Sequence, residues 1–279
     1  MSRLYDGLRK IERQKRQQQA TAAEPEQSPE LLNSILATPV EISYGPNLTT
    51  KAGKASRLVA LMDPKSLGAE KFRALATRLE SLREKSSLTS LQITSSVIDE
   101  GKSLIAANLA MTLVKHLGYK VLLVEGDLHR PTLTTLLGLG NVEGINQWWR
   151  GKEDKSISSY IYQLNNTSLW FLSAGSACEE PSQILQSARF GQSFVGLAGD
   201  FDWIIVDSTP MTPVVDANLW SRLVDGALLV VREGVASIKA LKAGVKSLDN
   251  PNWIGVVLNE ASEFDRMDYA YPYYAAKKG

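Results

Sequence analysis

From about Asp63 onward the chain alternates short, wholly apolar runs with stretches of helical period, and few folds accept that rhythm. "SLGAEKFRALATRLESLREK" carries Leu67, Phe72, Leu75, Leu79 and Leu82 along one side and predicts a helix. "LTSLQITS" predicts a strand, "KSLIAANLAMTLVKHLG" a helix stopped by Gly118, and "KVLLVEGD" a second strand followed by the turn "LHRP". The alternation continues with "SLWFLSAG" as strand, "SQILQSARFGQSFVGLAG" as one helix, and "FDWIIVDSTP" as strand. "VDANLWSRLV" (helix), "GALLVVREG" (strand), "SIKALKAGVKSL" (helix) and "WIGVVLNEA" (strand) complete it. Strands that are apolar at every position belong to sheets covered on both faces. The expected fold is therefore α/β: a doubly wound, mostly parallel sheet with helices on both faces and right-handed crossovers. Ligands of such sheets bind beyond the carboxyl ends of the strands. Residues 95–103, 125–130 and 207–210, together with Asn259, fall at those ends.

The flanks read differently. Residues 1–20 predict an amphipathic helical arm, with Leu4, Leu8 and Ile11 at helical spacing among basic side chains, suited to docking on a partner or an anionic surface. Residues 21–58, rich in Thr, Pro, Gln, Ser and Gly, read as linker. Residues 59–264 form the expected catalytic-type domain, and residues 265–279 a flexible tail. A formal net charge of +1 points away from nucleic acid. No apolar run approaches the roughly 18 residues of a membrane helix, and no secretory signal precedes the arm, so the expected location is the cytoplasm. With one cysteine, Cys178, and two histidines, neither a disulfide framework nor a His/Cys metal site is expected.

Chemistry concentrates in three segments. "SSVIDEGKSL" ends as a phosphate-binding loop does: Gly101 permits close backbone approach, Lys102 reaches toward phosphates, and Ser103 offers a hydroxyl to Mg²⁺. The loop from Ser96 through Asp99, Glu100 and Gly101 to Leu104 is the expected nucleotide contact. Ser96 stands where a Walker A motif has its first glycine, and Asp99 and Glu100 add carboxylates where phosphates approach. "FDWIIVDSTP" has the Walker B form, ending in Asp207, whose carboxylate suits the Mg²⁺ shell. "KVLLVEGDLHRP" delivers Glu125 and Asp127 at a third strand end. Their period-2 spacing puts both toward the cleft if the strand stays extended through Gly126. Phosphoryl transfer needs metal ligands and an acceptor for the incoming hydroxyl's proton, and two such acids supply both.

Taken in order, these segments resemble the bacterial tyrosine kinases of capsule and exopolysaccharide synthesis, the CpsD/CapB type, within the MinD/ParA-like P-loop ATPases. "LLVEGDLHRP" is similar to that family's acidic strand "LLIDADLRRP", "IIVDSTP" to its "IIDTPP", and "AEKFRALATRLE" to its preceding helix. The start "SRLYDGLRKIERQKR" resembles the arm of stand-alone family members. "DRMDYAYPYYAAKKG" places Tyr269, Tyr271, Tyr273 and Tyr274, four of nine tyrosines, in the last eleven residues.

The resemblance implies an ATP- and Mg²⁺-dependent protein-tyrosine autokinase acting on that cluster, which regulates polysaccharide polymerisation and export. It implies a transmembrane co-polymerase as activator, self-association, and recruitment to the inner face of the membrane through that partner. Lys102, Glu125, Asp127 and Asp207 are then catalytic, with Ser103, Asp127 and Asp207 around the metal. Glu125 aligns with the residue that takes the tyrosine proton, and Asn259 with an adenine contact.

Four departures stand out. The family's Pro-Gly is Ile98-Asp99 here, a position where Asp tolerates left-handed backbone better than most residues. A desolvated carboxylate there would cost on the order of 1–3 kcal/mol of nucleotide affinity. Glu125 replaces Asp. The E-x-x-R-x-x-R association motif reads Glu70, Arg73, Ala76. A MinD/ParA-type positioning ATPase is the third and least favoured reading, because Val97 stands where those proteins carry an extra Lys. A nucleotide-binding regulator of the same machinery, without turnover, is the alternative reading.

Overall fold

The computed structural model describes residues 44–53, 57–151, 155–212, 215–249 and 251–261. The arm at 1–20, most of the expected linker and the tail at 265–279 lie outside the described residues. In chain order the elements are β1 (Gly45–Leu48), α1 (Val59–Met62), α2 (Leu67–Ser86), β2 (Ser90–Ser95), α3 (Lys102–Leu117) and β3 (Val121–Glu125). There follow α4 (Leu133–Leu136), α5 (Ile145–Arg150), β4 (Ile161–Leu164), β5 (Leu169–Leu172), α6 (Pro181–Gln186) and α7 (Ala188–Gly196). The described chain closes with β6 (Trp203–Asp207), α8 (Asp216–Leu223), β7 (Gly226–Arg232), α9 (Ile238–Ser247) and β8 (Trp253–Asn259).

One eight-stranded sheet runs β1-β4-β5-β3-β6-β2-β7-β8. Every neighbouring pair is parallel except β4 with β5. Residue parity sorts the core into two layers. Val121, Leu123, Trp203, Ile205, Leu91 and Ile93 face one side with Leu79 of α2 and Leu109 of α3. Leu122, Val124, Ile204 and Val206 face the other, with Trp148, Ile184, Phe190 and Trp220 of α5 to α8. Both faces are covered, which is why these strands lack polar alternation.

Local chemistry sets the boundaries. Ser66 Oγ accepts from Ala69 N (3.2 Å) and starts α2. Gly118, at φ +75°, ends α3 in left-handed backbone. The single helix expected over "SQILQSARFGQSFVGLAG" is two, because Ser187 is extended and its Oγ caps α7 through Phe190 N (3.1 Å). Part of the expected linker is not linker: Gly45–Leu48 joins the sheet beside β4, itself a strand that the apolar pattern did not reveal. On α2, Glu70 pairs with Arg73 one turn on, whereas Ala76 is fully buried in the core. An arginine at 76 would enter the core rather than extend the exposed pair.

The parallel register brings three strand ends together. Ile93 and Glu125 both lie opposite Asp207. Asp225 fixes the neighbouring strand: its Oδ2 accepts from Thr89 N (3.0 Å), Thr89 Oγ1 (2.8 Å), Ser90 N (3.0 Å) and Ser90 Oγ (2.9 Å). Asp225→Ala strands four donors near the start of β2. The expected loss is about 3 kcal/mol, read as a lower urea midpoint at unchanged slope; a loss below about 1 kcal/mol would contradict this role.

Candidate active site

Beyond the ends of β2, β3 and β6 lies a cleft of about 520 Å³, a volume typical of small-molecule sites. Asp99, Lys102, Asp127, His129, Arg130 and Thr209 are among the residues lining it. The loop 96–101 feeds directly into α3, whose first four N–H groups lack intrahelical acceptors and point a positive helix end toward the cleft.

Lys102 is the centre of the arrangement. Its Nζ lies 3.1 Å from Asp127 Oδ2 and 3.8 Å from Asp207 Oδ1. Burial works against the ammonium charge, but Asp207 and Asp127 outweigh it and hold the Lys102 pKa above its ordinary value. Asp207 is fully buried. Burial raises its pKa from 3.8 to about 6, with Lys102 as the main opposing influence. Neither Asp207 oxygen accepts a hydrogen bond from the described residues. A buried carboxylate normally has such partners. Its orphaned oxygens, with the Ser103 hydroxyl and Asp127 nearby, form the hard oxygen set that Mg²⁺ takes. Ser103 Oγ is held by Thr132 Oγ1 at 2.8 Å. No group of three or more His, Cys, Asp or Glu among the described residues forms a closed metal cage. The oxygen donors of Ser103, Asp127 and Asp207 fit a Mg²⁺ shared with substrate phosphates.

The remaining expected residues divide. Asp99 adopts φ +63° and lines the cleft, so the Asp occupies the left-handed position for which glycine is the usual choice. Gly101 is also left-handed, at φ +91°. Ser96 is buried, its carbonyl held by Thr212 Oγ1 (2.8 Å), and Leu104 packs into the core.

Glu100 does not present its carboxylate to phosphates. It is fully buried and turned back into the loop, accepting from Val97 N (2.9 Å) and Arg232 N (3.3 Å). Glu125 does not reach the cleft either. Its Oε1 accepts from Thr134 N (2.9 Å), and its Oε2 from Thr134 Oγ1 (2.7 Å), Ser173 Oγ (3.1 Å) and Ala174 N (3.1 Å). Four donors bind it to α4 and the end of β5. Asp127, past Gly126, does line the cleft, and its Oδ1 closes a turn with Arg130 N (3.0 Å). Asn259 is half-buried, and its Nδ2 donates to Glu100 O (2.9 Å). The four tail tyrosines lie outside the described residues.

One pair was missed from sequence. His129 Nε2 lies 3.1 Å from Asp216 Oδ2 at the cleft wall. Asp216 is buried, and burial raises its pKa against the opposing pull of His129. The available signal was the His of "LHRP" standing where the family pattern has Arg.

The family model described as the CobQ/CobB/MinD/ParA nucleotide binding domain matches residues 93–270. CapB of Staphylococcus aureus is 30% identical over 230 residues, 81% of this chain and 99% of CapB. Tyrosine-protein kinase YwqD of Bacillus subtilis (strain 168) is 30% identical over 220 residues, 77% of this chain and 90% of YwqD. The chain belongs to the bacterial tyrosine-kinase family within these nucleotide-binding domains. The crystal structure of the chimerical protein CapA2B2 superposes with a TM-score of 0.67 at 28% identity, covering 84% of this chain and 99% of that one. No helix among the described residues is long and apolar enough to cross a membrane.

The Asp207 carboxylate predicts a stability–function conflict. Below about pH 4 it is protonated folded or unfolded and costs nothing. Between pH 4 and about 6 the unfolded chain ionises first, and above 6 the folded state carries the full cost. Asp207→Asn removes that charge while Asp127 still pairs Lys102. The variant should be more stable by roughly 1–3 kcal/mol at pH 7, with the advantage fading as pH falls from 6 to 4. Thermal unfolding across that range, beside a Mg²⁺-dependent nucleotide titration that the variant fails, checks both halves.

Proposed function

We propose that this protein is an ATP-dependent protein-tyrosine kinase that phosphorylates its own C-terminal cluster, Tyr269, Tyr271, Tyr273 and Tyr274, in the machinery of exopolysaccharide or capsule polymerisation and export. The observation that carries the reading is the buried Lys102 between Asp127 and Asp207 at the start of α3. Phosphoryl transfer asks a protein chiefly for positioning and charge stabilisation. The free amides of the α3 N-terminus and Lys102 hold the donor phosphates. Ser103, Asp127 and Asp207 hold Mg²⁺, which when bound neutralises phosphate charge and fixes the phosphate geometry. Glu125, aligned with the family's proton acceptor, and Asp127, which lines the cleft, are the two acids proposed to take the tyrosine proton. A tail tyrosine then arrives from a neighbouring copy, and each phosphate adds nearly two negative charges to the tail.

The same reading gives the protein a transmembrane co-polymerase as activator, met by the arm at 1–20, and a place on the cytoplasmic side of the membrane. A second reading, a nucleotide-binding regulator without turnover, is favoured by one observation, the four donors that sequester Glu125.

Incubating the full chain and its membrane activator with Mg·ATP, then probing for phosphotyrosine, separates the two. The wild type should label. Lys102→Met should lose on the order of 10²–10³-fold of the rate, and changing the four tail tyrosines to Phe should remove the signal. Measurable Mg·ATP affinity with an unlabelled wild type would overturn the kinase reading in favour of the regulator.

A further inference from the structure

The end of β8 is tied to the phosphate loop as well as to the sheet. Asn259 Nδ2 donates to Glu100 O (2.9 Å) and lies 2.3 Å from where a Cβ on residue 101 would stand. Glycine at 101 therefore serves this contact as well as the left-handed turn. Arg232, register partner of Asn259 across β7 and β8, meets the loop twice. Its backbone N donates to Glu100 Oε1 (3.3 Å) and its Nη1 to Asp99 O (3.3 Å). The Arg232 Nη2 also pairs with Glu260 Oε2. The other oxygen of Glu260 takes Arg57 Nη1 at 2.7 Å.

Three non-glycine residues in this linkage hold left-handed backbone: Asp99 at φ +63°, Arg57 at +56° and Glu260 at +51°. Such conformations persist where the surroundings fix them. Here the fixing contacts run in one chain from Glu260 through Arg232 to the carbonyl of Asp99. Ala261 is the last described residue, and eighteen more follow, the four clustered tyrosines among them.

We infer that Arg232 and Asn259 are positioning residues for the phosphate loop, and that Glu260 couples their hold to the root of the tyrosine tail. Arg232 fixes the Asp99 carbonyl, which sets how the following amides face the cleft. Displacing Glu260 frees the Arg232 guanidinium to leave that carbonyl. Linkage makes the effect reciprocal: a ligand that needs the ordered loop also restrains residues 253–261. The second half rests on the nucleotide reading of the site; the loop-ordering half does not.

Hydrogen exchange of the full-length protein, with and without Mg·ATP, tests both. Without nucleotide, Arg232→Ala should speed exchange of the loop amides at 97–101 about tenfold or more, and Arg232→Lys should recover part of the protection. The Kd for Mg·ATP should rise about tenfold in Arg232→Ala, with phosphoryl transfer at saturating ATP nearly kept. In the wild type Mg·ATP should slow exchange at 253–261, and Arg232→Ala should abolish that response. Glu260→Gln should shift both readouts in the same direction by a smaller factor.

Unchanged loop exchange in nucleotide-free Arg232→Ala would overturn the positioning role, as would a loosened loop with unchanged Kd. Wild-type behaviour of Glu260→Gln in both readouts would overturn the coupling to the tail. A loosened loop in a protein whose wild type does not bind Mg·ATP would uphold the ordering role and refute the nucleotide reading instead.

Discussion

Lys102 carries its ammonium to a place where burial opposes the charge, and two carboxylates from different strands reverse that balance. The rest of the site depends on this meeting. Asp207 reaches it from β6, Asp127 from beyond β3, and Lys102 from the helix that follows β2. They coincide because β3, β6 and β2 are consecutive in the sheet, and because a parallel register sets Ile93 and Glu125 opposite Asp207. A slip of one residue in β3 or β6 would send its acidic end to the other face of the sheet. The two-layer core forbids that slip, since each apolar side chain would change layers with it. The packing energy of the domain and the geometry of the triad are therefore one constraint seen at two distances.

Much of this was legible in the sequence, for a physical reason. Apolar runs bounded by turn chemistry report burial on both faces, and "GKS", "VEGD" and "IIVDS" sit at run ends, where a doubly wound sheet collects ligands. Strand ends and loop identity are local properties, and local properties survive in one dimension. Asp99 belongs here too. Its tolerance of left-handed backbone was readable from its chemistry, and φ +63° is what the loop uses.

What the sequence did not reveal depended on distant partners. The alternation in "VEGD" gave the side on which Glu125 lies but not its depth. Its fate was decided by Thr134, Ser173 and Ala174, which arrive from elements up to 49 residues away. Glu100 looked like an intruding charge until the fold offered it Val97 N and Arg232 N. The edge strand β1 has a sequence, "GPNL", with no strand pattern, and becomes a strand only because β4 presents an edge to it. The break at Ser187 was hidden by apolar residues that continue the helical period on both sides. Only the extended conformation of the serine, which frees its hydroxyl to cap α7, separates the two helices.

The withdrawal of Glu100 and Glu125 changes the electrostatics of the cleft. Had both faced it, five carboxylates would have surrounded one lysine, and a polyphosphate would have met strong repulsion. With both turned inward onto hydrogen-bond donors of the fold, the cleft keeps Asp99, Asp127 and Asp207 against Lys102 and Arg130. Three carboxylates to two cations still leave a negative excess, concentrated at Asp207, whose oxygens lack hydrogen-bond donors among the described residues. Such a site repels a bare polyphosphate and attracts a divalent cation, so it favours the two arriving together. The same imbalance explains why Asp99 is tolerable near the loop. Its charge is one more contribution that a cation offsets, while its backbone, held by Arg232, supplies the left-handed turn that glycine would otherwise provide.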